Sequence, residues 1–192
     1  MKSILFLGLL LQSALLQANI SVPSLSKLVN CSHSVFHGEV MNGKFTKPKQ
    51  PSSEELGYGS YKIKVIEHIA GKILLNQVTL QADYFKTLDG GFSSFYPAPG
   101  KQYIFVVAKD GRGLKFSPHH LPEVENIQGK DIVTGGQHRF LEGVDYYYKE
   151  SDSGLKEGGH KSNINDGNFV GYNLYSYKDY IATEFGKCTT GK

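Results

Sequence analysis

The chain has 192 residues, with 21 Lys and Arg against 18 Asp and Glu and a formal net charge of +3. So close a balance leaves no basic stripe of the kind that marks a nucleic-acid surface, and that class of partner is excluded. With 22 Gly, 12 Tyr, no Trp and 40% hydrophobic residues, the composition points to strands and turns rather than to a helical bundle.

Residues 1–18 read MKSILFLGLLLQSALLQA, with one charge at Lys2, an apolar run from Ile4 to Leu16 and small Ala18 at the end. That order predicts a secretory signal peptide cut after Ala18; a buried apolar helix is the competing reading. The run is too short to cross a bilayer, which takes about 20 apolar residues, and no later segment is apolar enough to span one. The expectation is therefore a single domain over 19–192, periplasmic or secreted. Without Lys2, 20 basic residues face 18 acidic ones, a net charge of +2.

Cys31 and Cys188 are the two cysteines. They could form a disulfide, contribute half a metal site, or be unrelated buried thiols. In an oxidising compartment the default is a disulfide. It would close a loop that the chain-entropy model values at roughly 4–5 kcal/mol.

In chain order, Ser24 can cap a short helix with Leu25, Leu28 and Val29 on one side. SVFHGEVM, 34–41, reads as a strand, and TKPKQPSSEELGYG, 46–59, as a loop. SYKIKVIEHI then alternates, with Tyr61, Ile63 and Val65 on one face and Lys62 and Lys64 on the other, the pattern of a half-buried strand. NQVTLQAD alternates in the same way, with Val78, Leu80 and Ala82 inward. PAPG is a turn before QYIFVVAKD, whose unbroken apolar run predicts a strand covered on both faces. DGRG is a tight turn and LKF a return strand. DIVTGG and DYYYKE are further strand candidates, and ESDSGLKEGGHKSNINDGN reads as an exposed loop. Finally SYKDYIATEFG predicts a helix capped by Ser176 with Asp179 completing a capping box, stopped by Gly186. The sum is a mainly β domain, a small antiparallel OB-like barrel with short N- and C-terminal helices that the disulfide would join.

The runs SLSKLVNCSHSVFHGEV, YKIKVIEHIAGK, VTLQAD and PGKQYIFVVAKDGRG resemble a recurring layout of bacterial exported domains. They are also similar to the netrin-type OB barrel of tissue inhibitors of metalloproteinases, in which cysteines tie both ends to the barrel. The resemblance covers 24–116, the last helix and Cys188. It implies the barrel fold and an exported location. It does not imply protease inhibition, because those inhibitors bind the protease zinc through an N-terminal cysteine and Cys31 lies well inside the expected Asn19 terminus.

Candidate chemistry is sparse. His33 and His37 would share a strand face about 13 Å apart, too far for one ion. SPHHLPEVE gathers His119, His120, Glu123 and Glu125, with His138 further on, and His119, His120 and His138 are the candidate zinc ligands. The stretch carries two prolines and lacks the HExxH pattern. Ser93, Ser94 and Ser151 sit in turns without a G-x-S-x-G frame, and the glycine pairs at Gly90, Gly135 and Gly158 lack a phosphate-loop lysine. Tyr146, Tyr147 and Tyr148 are consecutive, so on a strand they point to both faces and at least one is a candidate binding residue. Tyr172, Tyr175, Tyr177 and Tyr180 gather near the last helix.

With no assembled catalytic constellation, the expected function is an exported, non-catalytic binding module without a cofactor, its partner an envelope protein or a glycan. The alternatives are a metal-dependent hydrolase built on the histidine cluster with zinc, and a purely structural envelope protein.

Overall fold

In the computed structural model, residues 24–47, 55–85, 96–135, 141–149, 154–158 and 169–188 are described, and every structural statement below refers to them. The expected leader, Gly90, Ser93, Ser94, His138 and Ser151 lie outside these residues.

Five strands close a barrel: β1 (Ser34–Thr46), β2 (Glu55–Gly71), β3 (Gln77–Phe85), β4 (Gln102–Asp110) and β5 (Gly113–Phe116). They run in the order β1-β2-β3-β5-β4, and β4 pairs back onto β1 from Ser34↔Val107 to Glu39↔Gln102. The OB-like expectation of a mainly β barrel is met, with one amendment. The seam between β3 and β5 is parallel, through Gln81↔Lys115. β5 is launched by the two-residue turn at Gly111 and Arg112, where Gly113 takes φ +127°, a conformation that favours glycine.

The alternation in the sequence explains the barrel interior. Tyr61 and Ile63 of β2, and Val78, Leu80, Ala82 and Tyr84 of β3, point inward, while Lys62 and Lys64 are exposed. Phe36 and Val40 of β1 and Tyr103, Phe105 and Val107 of β4 complete this core, with Phe116 and Leu121. Inside it the Tyr61 and Tyr84 hydroxyls share a 2.6 Å hydrogen bond. Burial pushes the phenols of both residues upward, so each stays neutral.

A second core lies on the outer side of β1 and β4. The sheet continues from β4 through β6 (Glu123–Ile127), β7 (Lys130–Thr134), β10 (Phe169–Asn173), β8 (Tyr146–Lys149) and β9 (Leu155–Gly158). Helices α1 (Leu25–Asn30) and α2 (Leu174–Glu184) cover this face. Leu25 and Val29 of α1 and Leu174, Tyr177 and Ile181 of α2 pack on Val35, Ile104, Val124, Val133 and Tyr172. β4 is thus apolar on both faces because it separates two cores, as its uninterrupted run predicts.

Several local expectations shift. Part of the 46–59 loop is the start of β2, which lengthens the β1–β2 hairpin. The stretch after DYYYKE contains β9, paired antiparallel with β8. The SPHHLPEVE stretch is a 3-10 turn at Pro118–His120 followed by β6. The cap of α2 is Asn173, whose Oδ1 accepts from Tyr175 N and Ser176 N at 2.9 and 3.2 Å. Ser176 is turned to another task, accepting from Asp145 N at 2.9 Å. Asx side chains cap as well as serine does, so the helix starts one residue after the nearest asparagine that ends a strand.

Cys31 follows α1 and Cys188 follows α2, and the two are joined in a disulfide with Cα atoms 4.8 Å apart. No helix is long and apolar enough to cross a membrane among the described residues.

Candidate functional site

A groove of about 450 Å³ runs between α1 and the outer side of β4 and β5. Its position follows from α1. Ser24 caps that helix, its Oγ accepting from Lys27 N at 3.4 Å. With Leu25 and Val29 turned into the second core, Lys27 and Leu28 are left to line the groove, and Cys31 and Ser32 continue its wall. Val106 and Ala108 of β4 form the facing side. The 3-10 turn closes one end with Ser117, Pro118 and His120, beside Phe116.

The floor is apolar: Leu28, Val106, Ala108, Phe116 and Pro118. Polar groups converge on it from two sides. Lys115 reaches across the parallel seam, its Nζ 2.7 Å from Asp83 Oδ2 and 3.1 Å from Asp110 Oδ2, with only 14% of its side chain exposed. Burial opposes the charge on Lys115, but the hydrogen bonds to Asp83 and Asp110 outweigh it and raise its pKa. Asp110 is held below the usual carboxylate range by the Arg112 backbone N–H, 2.7 Å away, and by Lys115. The outer guanidinium of Arg112 stands 3.6 Å from Asp83. Lys115 is therefore a locked cation. Ser32 is also committed, donating from Oγ to Val29 O at 2.9 Å, and so is no candidate nucleophile.

Of the residues that the sequence singles out in and after SPHHLPEVE, His120 is placed apart from Glu123 and Glu125, while His138 lies outside the described residues. His120 is buried at 6% exposure and lines the groove. Glu123 and Glu125 are on β6 and line a different cavity with Asp131. There Lys101 pairs with both, at 2.6 Å to Glu123 and 3.8 Å to Glu125. His119 belongs to the 3-10 turn. Among the described residues no three His, Cys, Asp or Glu side chains are gathered as a metal ion would need. His37 is buried on the outer face of β1 with Gln102 as its hydrogen-bond partner, and Nε2 has none. His33 precedes that strand, its backbone N–H donating to Val107 O at 2.7 Å.

The consecutive tyrosines divide between interior and surface. Tyr147 is buried and its hydroxyl accepts from Asn173 Nδ2 at 3.0 Å. Tyr146 packs against the second core and lies with Tyr148 and Phe169 in a partly exposed aromatic row. Tyr172 and Tyr177 are core residues, whereas Tyr175 is exposed with Lys178 over its ring, 4.7 Å from the centroid. Tyr180 is half-buried and its phenol is pushed upward by burial.

Asp83 and Lys115 are absent from any sequence-level shortlist. They lie 32 residues apart, no local pattern joins them, and the parallel seam alone makes them neighbours. Leu28 falls at the spacing of the same apolar stripe as Leu25 and Val29, yet the structure buries those two and leaves Leu28 half-buried at the groove.

Compared with protein-family models, curated proteins and solved structures, the chain shows no match.

Proposed function

We propose that this chain is an exported binding module and that the groove between α1 and β5 is its ligand site. The observation that carries the reading is the groove itself: an apolar floor of useful size with a few fixed polar groups at its edges, the make-up of a binding cleft. The apolar floor favours a segment of another envelope protein over a glycan. Lys27 and the locked Lys115–Asp83 pair supply polar anchors for that segment's backbone or charged ends. Export is supported by the signal-like leader and by the disulfide, a bond that persists in oxidising compartments. The similarity to netrin-type barrels rests on the closed five-strand barrel with its ends tied together, and supports binding without supporting protease inhibition.

The test places a photo-crosslinking amino acid at position 28, or at exposed Lys130 as a control, and irradiates the mature protein in envelope extract. A discrete protein adduct from position 28 alone is expected, and Ala108→Arg, which fills the groove, should weaken it at least about tenfold. Identical adducts from both positions, or none from position 28, would remove the groove from the function.

A further inference from the structure

The segment that joins β2 to β3 is built to hold two leucines in water. Gly71 turns the chain out of β2 at φ +97°. An added Cβ there would meet His33 O and Ser34, so glycine is required on grounds of both space and conformation. Ser34, fully buried, then accepts through Oγ from Lys72 N at 2.8 Å and Ile73 N at 2.9 Å. Ile73 is drawn into the barrel core. Asn76 O accepts from Val65 N at 2.9 Å, which returns the segment to the strand position next to Ile66. Between these anchors Leu74 and Leu75 stay outside, 80% and 65% exposed, with Ile66 43% exposed.

A segment this firmly anchored could have turned its leucines inward only by displacing Ile73, so their exposure is a property of the fold. The charged residue nearest the leucines along the chain is Lys72, exposed and two positions before Leu74. Lys64, also exposed, lies two positions before Ile66 and faces Glu39 of β1 across the strand pair. Glu67, the next acid along β2, is neutralised by Lys178 at 2.7 Å.

We propose that the Leu74–Leu75 tip, with Ile66 beside it and Lys64 and Lys72 around it, seats the protein on an anionic lipid surface. The tip offers too little area for a stable protein interface, which takes about 800 Å² from each partner. A bilayer needs only a few projecting apolar side chains and nearby cations, since insertion at the headgroup boundary and attraction to anionic lipid act together. The contact is independent of the groove, whose residues come from α1, β3, β4, β5 and the 3-10 turn.

Co-sedimentation of the mature protein with vesicles tests this, comparing phosphatidylcholine alone with an equal mixture of phosphatidylcholine and phosphatidylglycerol. Binding to the mixed vesicles and little to the neutral ones is expected. Leu74→Ser with Leu75→Ser should weaken it about 100-fold, and Lys64→Ala with Lys72→Ala roughly 10- to 30-fold. All four sites are exposed, so an unchanged thermal midpoint confirms that each variant is folded. Ala108→Arg should leave vesicle binding intact, which separates this proposal from the groove reading. Three results overturn the proposal: no binding to mixed vesicles, binding that survives loss of both leucines, or an effect of the leucines only on capture of a protein.

Discussion

Lys115 Nζ lies 2.7 Å from Asp83 Oδ2 across the single bridge, Gln81↔Lys115, that joins β3 to β5. The closure of the barrel thus coincides with a mostly buried ion pair, supported on the other side by Asp110. Lys115→Met keeps the length and apolar stem of the side chain but leaves Asp83 and Asp110 to the more exposed Arg112, 3.6 and 4.0 Å away. We expect a loss of about 1 kcal/mol, read as a lower urea midpoint, and we expect Lys115→Arg to recover part of it. A midpoint unchanged by Lys115→Met would mean that the seam is held by packing of Phe116 alone.

The disulfide should matter more. Cys31 and Cys188 are 157 residues apart, and constraining so long a loop in the unfolded chain is valued at about 4–5 kcal/mol before strain is subtracted. Cys31→Ser with Cys188→Ser is expected to lower the denaturation midpoint steeply while leaving the second core assembled, because α1 and α2 still bury Val29 and Ile181. Intact mass after thiol alkylation checks the bond directly. Two labels should appear only after reduction, and labelling without reduction would contradict the bridge.

Gly43 and Gly59 flank the Tyr61 ring, and a Cβ on either would collide with it. The ring cannot move aside freely, since its hydroxyl is bonded to Tyr84 and its edge meets Phe116. Gly59→Ala should therefore cost about 1–3 kcal/mol, the range for overpacking a core. Thermal unfolding of Gly59→Ala beside Gly111→Ala checks the steric part, since neither takes a left-handed φ and only Gly111 has open space around it. Equal losses would show that the ring does not set the penalty.

His37 gives the fold an acid limit. Burial lowers its pKa from the usual 6.5, against the raising effects of the Gln102 hydrogen bond, Glu67 and Asp131 and with the further lowering effect of Lys178. The unfolded chain therefore takes up the proton first. The stability that this group contributes is present above about pH 6.5 and is lost as pH falls through the depressed folded value. Urea midpoints should fall between about pH 7 and about pH 5, and His37→Gln should flatten that slope. A slope unchanged by His37→Gln would assign it to other groups.

What the sequence determined by itself is the periodic part of the structure. Alternation at Tyr61 to Val65 and at Val78 to Ala82 sets which face is buried, and the unbroken run of β4 announces a strand between two cores. These are local consequences of a side-chain period of two. Capping was legible only in part, because Asn173 and Ser176 offer the same chemistry three residues apart and only the packing of β10 decides between them. The groove was not legible at all. Its floor takes residues from α1, β4, β5 and the 3-10 turn, and its polar anchor joins Asp83 to Lys115 across a parallel seam that no spacing foretells. The exposed Leu74 and Leu75 read as ordinary apolar residues until Ser34, 39 residues before Ile73, fixes the turn between them and the core. Periodicity acts within one element, whereas these sites arise where elements distant in the chain are brought together by closing the barrel, and only the tertiary structure decides that.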